Sequence, residues 1–281
     1  MSKINPKLLF AELSLFLSVQ IIGLLVGFKY FSLQIIEPLP VEQSIPTFLI
    51  TFLIATAFLL ILIKFLRGAL FFKIMFALLI LVGADITFGA FLFEPLAIGL
   101  AAVVLAARIA KPNVLTHNVA IFLAVAGVGA QLGLLLTVPA VIVLLVLLSI
   151  YDVYAVFKSK HMVKLFKGLL ERGATMAMVI PENIKDFGVG MRTVKTKKLK
   201  KHVPDKRKFF MLGTGDAAFP IVFAVAALQY SLTSAIAVLI GSLFGILIIH
   251  YLISTGKYKA LPALPPLAFT TIVAFGISLL L

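Results

Sequence analysis

The chain has 281 residues, of which 62% are hydrophobic and only 13% are charged, and its formal net charge is +14. This composition excludes a water-soluble globular protein, because the polar residues are too few to cover its surface, and the bilayer is the expected solvent. The absence of cysteine excludes disulfides, thiolate nucleophiles and thiolate metal sites.

Nine apolar stretches along the chain are candidates for membrane spans, since a helix needs about 20 apolar residues to cross the hydrocarbon core. The predicted fold is therefore all-α, a polytopic membrane protein with nine transmembrane helices. The fourth stretch is short, and together with the third it could form a partly inserted hairpin. The stretches lie near residues 8–28, 46–66, 74–93, 95–110, 117–136, 139–157, 211–231, 233–253 and 262–281.

The basic residues indicate how these spans are oriented. With nine spans, 24 of the 25 Lys and Arg residues fall on one side of the membrane, and only Lys29 falls on the other. The positive-inside rule then places the N-terminus in the cytoplasm and the C-terminus outside. We expect a multi-pass protein of the cell membrane, or of an endomembrane in a eukaryote.

The longest polar segment divides the chain. Between residues 158 and 208 there are fifteen Lys and Arg residues against four acids, so this loop is expected to lie in the cytoplasm and to contact anionic lipid, not nucleic acid. Within it, Thr175–Ile180 is predicted to form a short strand that Pro181 ends. The predicted organisation is a six-span half over 1–157, a basic loop over 158–210 and a three-span half over 211–281. A homo-oligomer is compatible with this sequence.

Four acidic residues lie inside the predicted spans, where a charge at the centre costs about 2.5 to 3.5 kcal/mol and therefore signals a function or a partner. Glu12 is one turn into the first span and is expected to reach headgroup water or a nearby lysine. Asp85 is expected to cap a helix break or to bond a neighbouring helix. The other two are Asp152 and Asp216.

The four histidines lack metal-ligand spacing and are expected to be structural. No metal or other cofactor is expected. The histidines are His117, His161, His202 and His250.

Asp152 and Asp216 lie at matching depths. Asp152 is six residues before Lys158 and Asp216 is eight residues after Lys208, which places them about 9 and 12 Å from the cytoplasmic boundary. Side by side, their antiparallel helices could bring the two carboxylates together, although depth alone also allows two unrelated acids in a polar cavity. A close pair would share a proton, so one member could activate water while the other protonates a carbonyl.

Three short motifs resemble those of the presenilin and signal peptide peptidase family, in the same order and on the corresponding spans. This resemblance covers essentially the whole chain. It implies an intramembrane aspartyl protease that hydrolyses peptide bonds in transmembrane helical substrates with an activated water. It also implies that Asp152 and Asp216 are the catalytic pair. The motifs are Tyr151-Asp152 in the sixth span, Gly213-Thr214-Gly215-Asp216 in the seventh, and Pro262-Ala263-Leu264 at the start of the ninth.

Two features of the sequence differ from the signal peptide peptidase branch of the family. The cytoplasmic N-terminus is that of presenilin and opposite to the signal peptide peptidase branch, and Leu261 stands where that branch usually has Gln. The resemblance therefore implies a compact presenilin-type homologue and suggests an archaeal source. The small residues after Asp216, with Pro220, are closer to the peptidase branch.

The remaining motif residues are expected to bind or position the substrate. Gly213 and Gly215 lack side chains and would let a substrate backbone or a neighbouring helix approach, and Thr214 could tune substrate choice. Tyr151 could orient a carboxylate or the substrate through its hydroxyl, or could simply pack.

The ninth span begins with a stretch rich in proline. Pro262, Pro265 and Pro266 lack backbone donors, so the segment is expected to be extended. Pro262-Ala263-Leu264 would then hold an unwound substrate by strand-like hydrogen bonds. The substrate is expected to enter between the sixth and ninth spans.

Other functions could use the same acids. A cation or proton transporter or channel is the main alternative, but no internal repeat and no buried cationic partner support it. A prepilin-peptidase-like enzyme also has a GxGD aspartate, although its second aspartate is expected in cytoplasmic sequence. A scaffold without catalysis is the remaining alternative.

Overall fold

The structure of the protein is a computed structural model that describes residues 6–34, 69–158, 175–194, 209–254 and 261–281, together with a few positions between 46 and 58. The predicted second span and most of the predicted basic loop lie outside the described residues, as do His161 and His202.

The described residues are mainly helical, as the apolar stretches predict. Five of the helices are long and apolar enough to cross a membrane, and two further apolar helices are shorter, Thr214–Ala227 and Leu264–Ser278. The last turn of the fifth helix continues as a π-helical turn over Tyr154–Lys158. The helices are α1 (Pro6–Ser32), α2 (Ala69–Gly89), α3 (Glu94–Ala110), α4 (Val114–Leu135), α5 (Val138–Val153), α6 (Thr214–Ala227), α7 (Leu232–Ser254) and α8 (Leu264–Ser278).

A small antiparallel sheet accompanies the helices and modifies the all-α prediction. Strand β1 (Ala177–Pro181) pairs with β2 (Phe209–Gly213), with Ala177 opposite Gly213. The predicted seventh span therefore begins as a strand, and its helix starts only at Thr214. A short 3-10 helix, Ile184–Gly188, follows β1.

The predicted strand exists, but Pro181 lies inside it, opposite Phe209. Val179, two residues earlier, turns both of its backbone groups away from β2 and toward Asn118. Because successive residues alternate, Pro181 also faces away from β2, and its missing N–H removes no bond of the ladder.

The proline-rich start of α8 is only partly extended. Pro262 is not helical, but Pro265 and Pro266 lie in the first turn of the helix. The prediction of an extended stretch was therefore wrong for these two residues. The first N–H groups of a helix have no partner within it, so proline is tolerated there.

The centre of the bundle is α4, which packs against α1, α2, α3 and α6. At its crossing with α2 the two backbones meet directly. A Cβ atom on Gly127 would collide with the carbonyl oxygen of Gly83, so only glycine fits there. Close backbone approach at small residues is a common way for membrane helices to associate.

Glu12 differs from expectation, and one of the two alternatives for Asp85 is excluded. Glu12 does not reach headgroup water: it is fully buried, and its Oε2 lies 2.6 Å from Nδ1 of His250 on α7. This partner is 238 residues away in the chain, so local sequence could not reveal it. Asp85 does not cap a break, because α2 runs through it to Gly89.

Candidate active site

Asp152 lies near the end of α5 and is 8% exposed. Its Oδ2 accepts a hydrogen bond from the backbone N–H of Leu264 at 3.3 Å, and the backbone N–H of Ala263 also faces the carboxylate. These bonds connect the end of α5 to the start of α8. Two backbone donors stabilise a buried carboxylate without adding a cation.

Asp216 occupies the third position of α6, and Gly213 is the residue that caps this helix. The N–H of Gly213 faces the carboxylate of Asp216, in the arrangement of half a capping box, in which an acid reaches back to the cap. The carboxylate also lies at the positive end of the helix dipole. Its position is therefore set by the junction of β2 and α6.

The two aspartates are near neighbours in space. The charge of Asp152 acts on Asp216, and α5, α6 and α8 pack against one another in pairs. The structure thus places the two acids, which the sequence puts at similar depth, on packed helices with interacting carboxylates. Two interacting carboxylates in partly apolar surroundings favour a shared proton, as acid-base hydrolysis of a peptide bond requires.

The glycines of Gly213-Thr214-Gly215 have different surroundings. A Cβ atom on Gly213 would lie 2.9 Å from Oδ2 of Asp216, so glycine is needed there to leave room for the carboxylate. A Cβ atom on Gly215 would meet only the ring of Phe219, at 4.0 Å. Gly215 is exposed, so a substrate backbone can approach it.

Pro262, Ala263 and Leu264 are all buried. The N–H of Leu264 donates to Asp152 and the N–H of Ala263 faces the same carboxylate, whereas proline has no N–H. The segment therefore contacts a catalytic candidate through its backbone, and its role in holding an unwound substrate strand stays a prediction.

Tyr151 is adjacent to Asp152 in sequence but points elsewhere. Its side chain is 46% exposed, because consecutive residues of a helix are about 100° apart around its axis. Helices α5 and α8 are in contact, and substrate entry between the sixth and ninth spans stays a prediction.

The sequence analysis missed two polar contacts of the sheet. Asn118 was not considered, and His117 was expected to be only structural. Both are buried at the start of α4 and bind the backbone of β1. Two consecutive polar residues at the start of an otherwise apolar span were the available signal. In the part of the chain that the structure describes, no group of three His, Asp or Glu residues could hold a metal.

Comparisons with known proteins agree with this geometry. A family model described as "Signal-peptide peptidase, presenilin aspartyl protease" matches residues 11–281. No curated protein matches the sequence.

Two solved structures have the same fold. Both are described as a presenilin family intramembrane aspartate protease, one in space group C222 and one in P2. The first is 21% identical with a TM-score of 0.65, and the match covers 96% of each chain. The second is 21% identical with a TM-score of 0.64, and the match covers 95% of this chain and 96% of the other.

Proposed function

Because the chain belongs to the signal-peptide peptidase and presenilin family of aspartyl proteases, we propose that its intramembrane protease activity is carried out by Asp152 and Asp216. The observation that supports this assignment is the packing of α5 against α6, the helices that carry the two residues, together with the electrostatic interaction between their carboxylates. Membership of a protease family favours hydrolysis over the transporter or channel alternative.

The proposed reaction is hydrolysis by a shared-proton pair. The ionised carboxylate takes a proton from a water molecule, which attacks the scissile carbonyl, while the protonated carboxyl group donates to the carbonyl oxygen. The tetrahedral intermediate then collapses: the carboxyl group that took the proton of water gives it to the leaving nitrogen, and the other carboxylate takes back the proton from the former carbonyl oxygen. The backbone donors of Gly213, Ala263 and Leu264 hold both carboxylates in place during these transfers.

The substrate is a transmembrane segment that must unwind, because a helix hides its carbonyl groups in internal hydrogen bonds. The side of β2 away from β1 offers a place for the unwound part. Met211 lies opposite Val179, whose backbone groups point away from β2, so those of Met211 also point outward. A substrate strand added along this edge would run toward Gly213 and Asp216.

We also propose nine membrane spans with a cytoplasmic N-terminus and an extracytoplasmic C-terminus. The long apolar helices and the distribution of basic residues support this arrangement. The division into two halves around the basic loop remains part of the proposal.

Because the chain lacks cysteine, single cysteines can report the topology. Gln34→Cys should react with an impermeant maleimide on intact cells, and Lys111→Cys only after permeabilisation; the reverse pattern would contradict the orientation.

The basic loop over residues 158–208 is proposed to bind anionic lipid. Binding of the purified protein to vesicles with and without phosphatidylserine tests this point, and equal salt sensitivity in both would contradict it. The same preparation, measured by light scattering with mass determination, distinguishes a monomer from a homo-oligomer.

Purified protein and a single-span peptide test the catalytic assignment. Fragments are sized by mass spectrometry for the parent, Asp152→Ala and Asp216→Ala. Cleavage should be lost in both variants, and a hydroxyl-containing transition-state mimic should block the parent. Undiminished cleavage by either variant would remove that aspartate from the mechanism.

A further inference from the structure

Asn118 binds strand β1 in the way a neighbouring strand would. Its Oδ1 accepts a hydrogen bond from the N–H of Val179 at 2.9 Å, and its Nδ2 donates to the carbonyl oxygen of the same residue at 2.6 Å. The side chain is only 2% exposed. One carboxamide on α4 therefore satisfies both backbone groups of a strand residue, which are strong and obligatory hydrogen-bonding groups.

His117 makes the next contact along the same strand. Its Nε2 lies 2.9 Å from the carbonyl oxygen of Ala177, which is an acceptor, so Nε2 carries the proton. The ring of Phe76 stacks on the imidazole, with centroids 6.2 Å apart, and Arg108 lies 4.9 Å from the centroid of Phe76. Helices α2 and α3 thus hold the imidazole in its orientation.

The contacts of His117 and Asn118 with β1 are connected to Asp216 through strand β2. Ala177 is opposite Gly213 and Val179 is opposite Met211. Gly213 lies against the carboxylate of Asp216, since a Cβ atom on Gly213 would be 2.9 Å from Oδ2. Met211 lies on the edge of β2 that the proposed function assigns to the substrate. A sliding or tilting of β1 would therefore displace both the carboxylate and the substrate edge.

We propose that Asn118 and His117 are positioning residues of the protease. By occupying the outer edge of β1, they fix its register against β2, hold Gly213 against Asp216 and select the peptide bond that is cut. This inference rests on the proposed function, because it assumes that Asp152 and Asp216 perform the cleavage.

Two substitutions at Asn118 separate positioning from simple support of the fold. Asn118→Leu keeps the number of side-chain heavy atoms and the branching at Cγ but loses both hydrogen bonds. Asn118→Asp keeps the acceptor, and its protonated form regains a donor for the carbonyl oxygen of Val179. The matched control is Asn113→Ala, which removes the cap of the same helix, where the Asn113 side chain accepts from Thr116 at 2.9 Å, without touching β1 through its side chain.

The experiment measures kcat, KM, cleavage positions by mass spectrometry and thermal stability on a single-span peptide. Asn118→Leu should lower kcat by about tenfold to a hundredfold with a smaller change in KM, because misplaced reacting groups slow the chemical step. It should also produce fragments displaced by one or two residues. Asn118→Asp should recover both rate and cleavage position as the pH is lowered, relative to the parent at each pH. Asn113→Ala should lose stability but cut at the parent positions.

Unchanged cleavage positions and kcat in folded Asn118→Leu would overturn the proposal. If that variant does not fold, Asn118→Asp decides alone, and parent-like rate and positions at neutral pH would overturn it. Failure of the proposed function looks different, since Asp152→Ala or Asp216→Ala would then still cleave the peptide.

Discussion

The carboxylate of Asp152 accepts a hydrogen bond from the backbone N–H of Leu264, at 3.3 Å and across 112 positions of the chain. This bond makes the start of α8 part of the site through its backbone. The side chains of Pro262-Ala263-Leu264 are buried, so their contribution is to keep the segment in a shape that presents two N–H groups to one carboxylate.

The bond between Asp152 and Leu264 predicts that two inactive variants differ in stability. Asp152→Asn and Asp152→Ala should both abolish cleavage, because neither carries an ionisable carboxyl group. Asparagine retains an acceptor for the amides of Ala263 and Leu264, whereas alanine leaves them without that acceptor in a buried place, which costs about 1–3 kcal/mol for an unsatisfied group. In the same detergent, the midpoint of thermal unfolding should therefore be higher for Asp152→Asn than for Asp152→Ala. Equal midpoints would show that water replaces the lost acceptor.

The contact between Gly213 and Asp216 predicts a glycine-specific loss of activity. Gly213→Ala introduces a methyl group 2.9 Å from Oδ2 of Asp216, and the carboxylate must move. A shift of about 1 Å can cost a hundredfold in rate, so kcat should fall steeply while the protein stays folded, since the backbone at Gly213 is extended and tolerates alanine. The control is Gly276→Ala, where nothing lies within 4 Å of the new methyl. Parent-like kcat in Gly213→Ala would mean that Asp216 is not held as described.

The buried pair of Glu12 and His250 predicts a non-additive effect on stability. Removing one partner leaves the other polar group buried, which typically costs about 3–5 kcal/mol when a buried ion pair is broken, whereas replacing both partners with apolar residues is often neutral. Glu12→Leu and His250→Leu should each lower the unfolding midpoint, and the double variant should recover most of the loss. A double variant that melts at the sum of the two losses would show that the side chains do not depend on each other.

The exposure of Tyr151 predicts a role in substrate contact and not in orienting Asp152. Its side chain is 46% exposed on the surface of α5, so Tyr151→Ala should raise KM for a single-span peptide with kcat retained. Tyr151→Phe is the matched variant that removes only the hydroxyl. A fall in kcat in Tyr151→Phe would instead assign the hydroxyl to the carboxylate.

Local patterns were enough for much of the fold. Apolar stretches predicted the helices because a membrane span must be long and apolar wherever it packs. The equal depths of Asp152 and Asp216 depended only on helix rise and on their distance from flanking lysines. The strand after Thr175 was also visible as a short β-prone run, although its end was misplaced.

Contacts between distant segments were beyond these patterns. Nothing near Glu12 indicates His250, and the bond from Leu264 to Asp152 depends on how α8 packs against α5. Pro265 and Pro266 were predicted to be extended because they lack backbone donors. That prediction did not consider that they could lie in the first turn of a helix, where those donors are not needed.

By itself, the sequence determined the membrane environment, the helical class, the pair of acids and the family, because apolar length, intramembrane charge and motif order are properties of the chain. The tertiary structure alone decided what holds each carboxylate: Gly213 through the β2–α6 junction and Ala263 with Leu264 through the start of α8. The physical reason is that these donors are backbone N–H groups, which every residue except proline carries. Only the folded path of the chain determines which of them meet a buried acid.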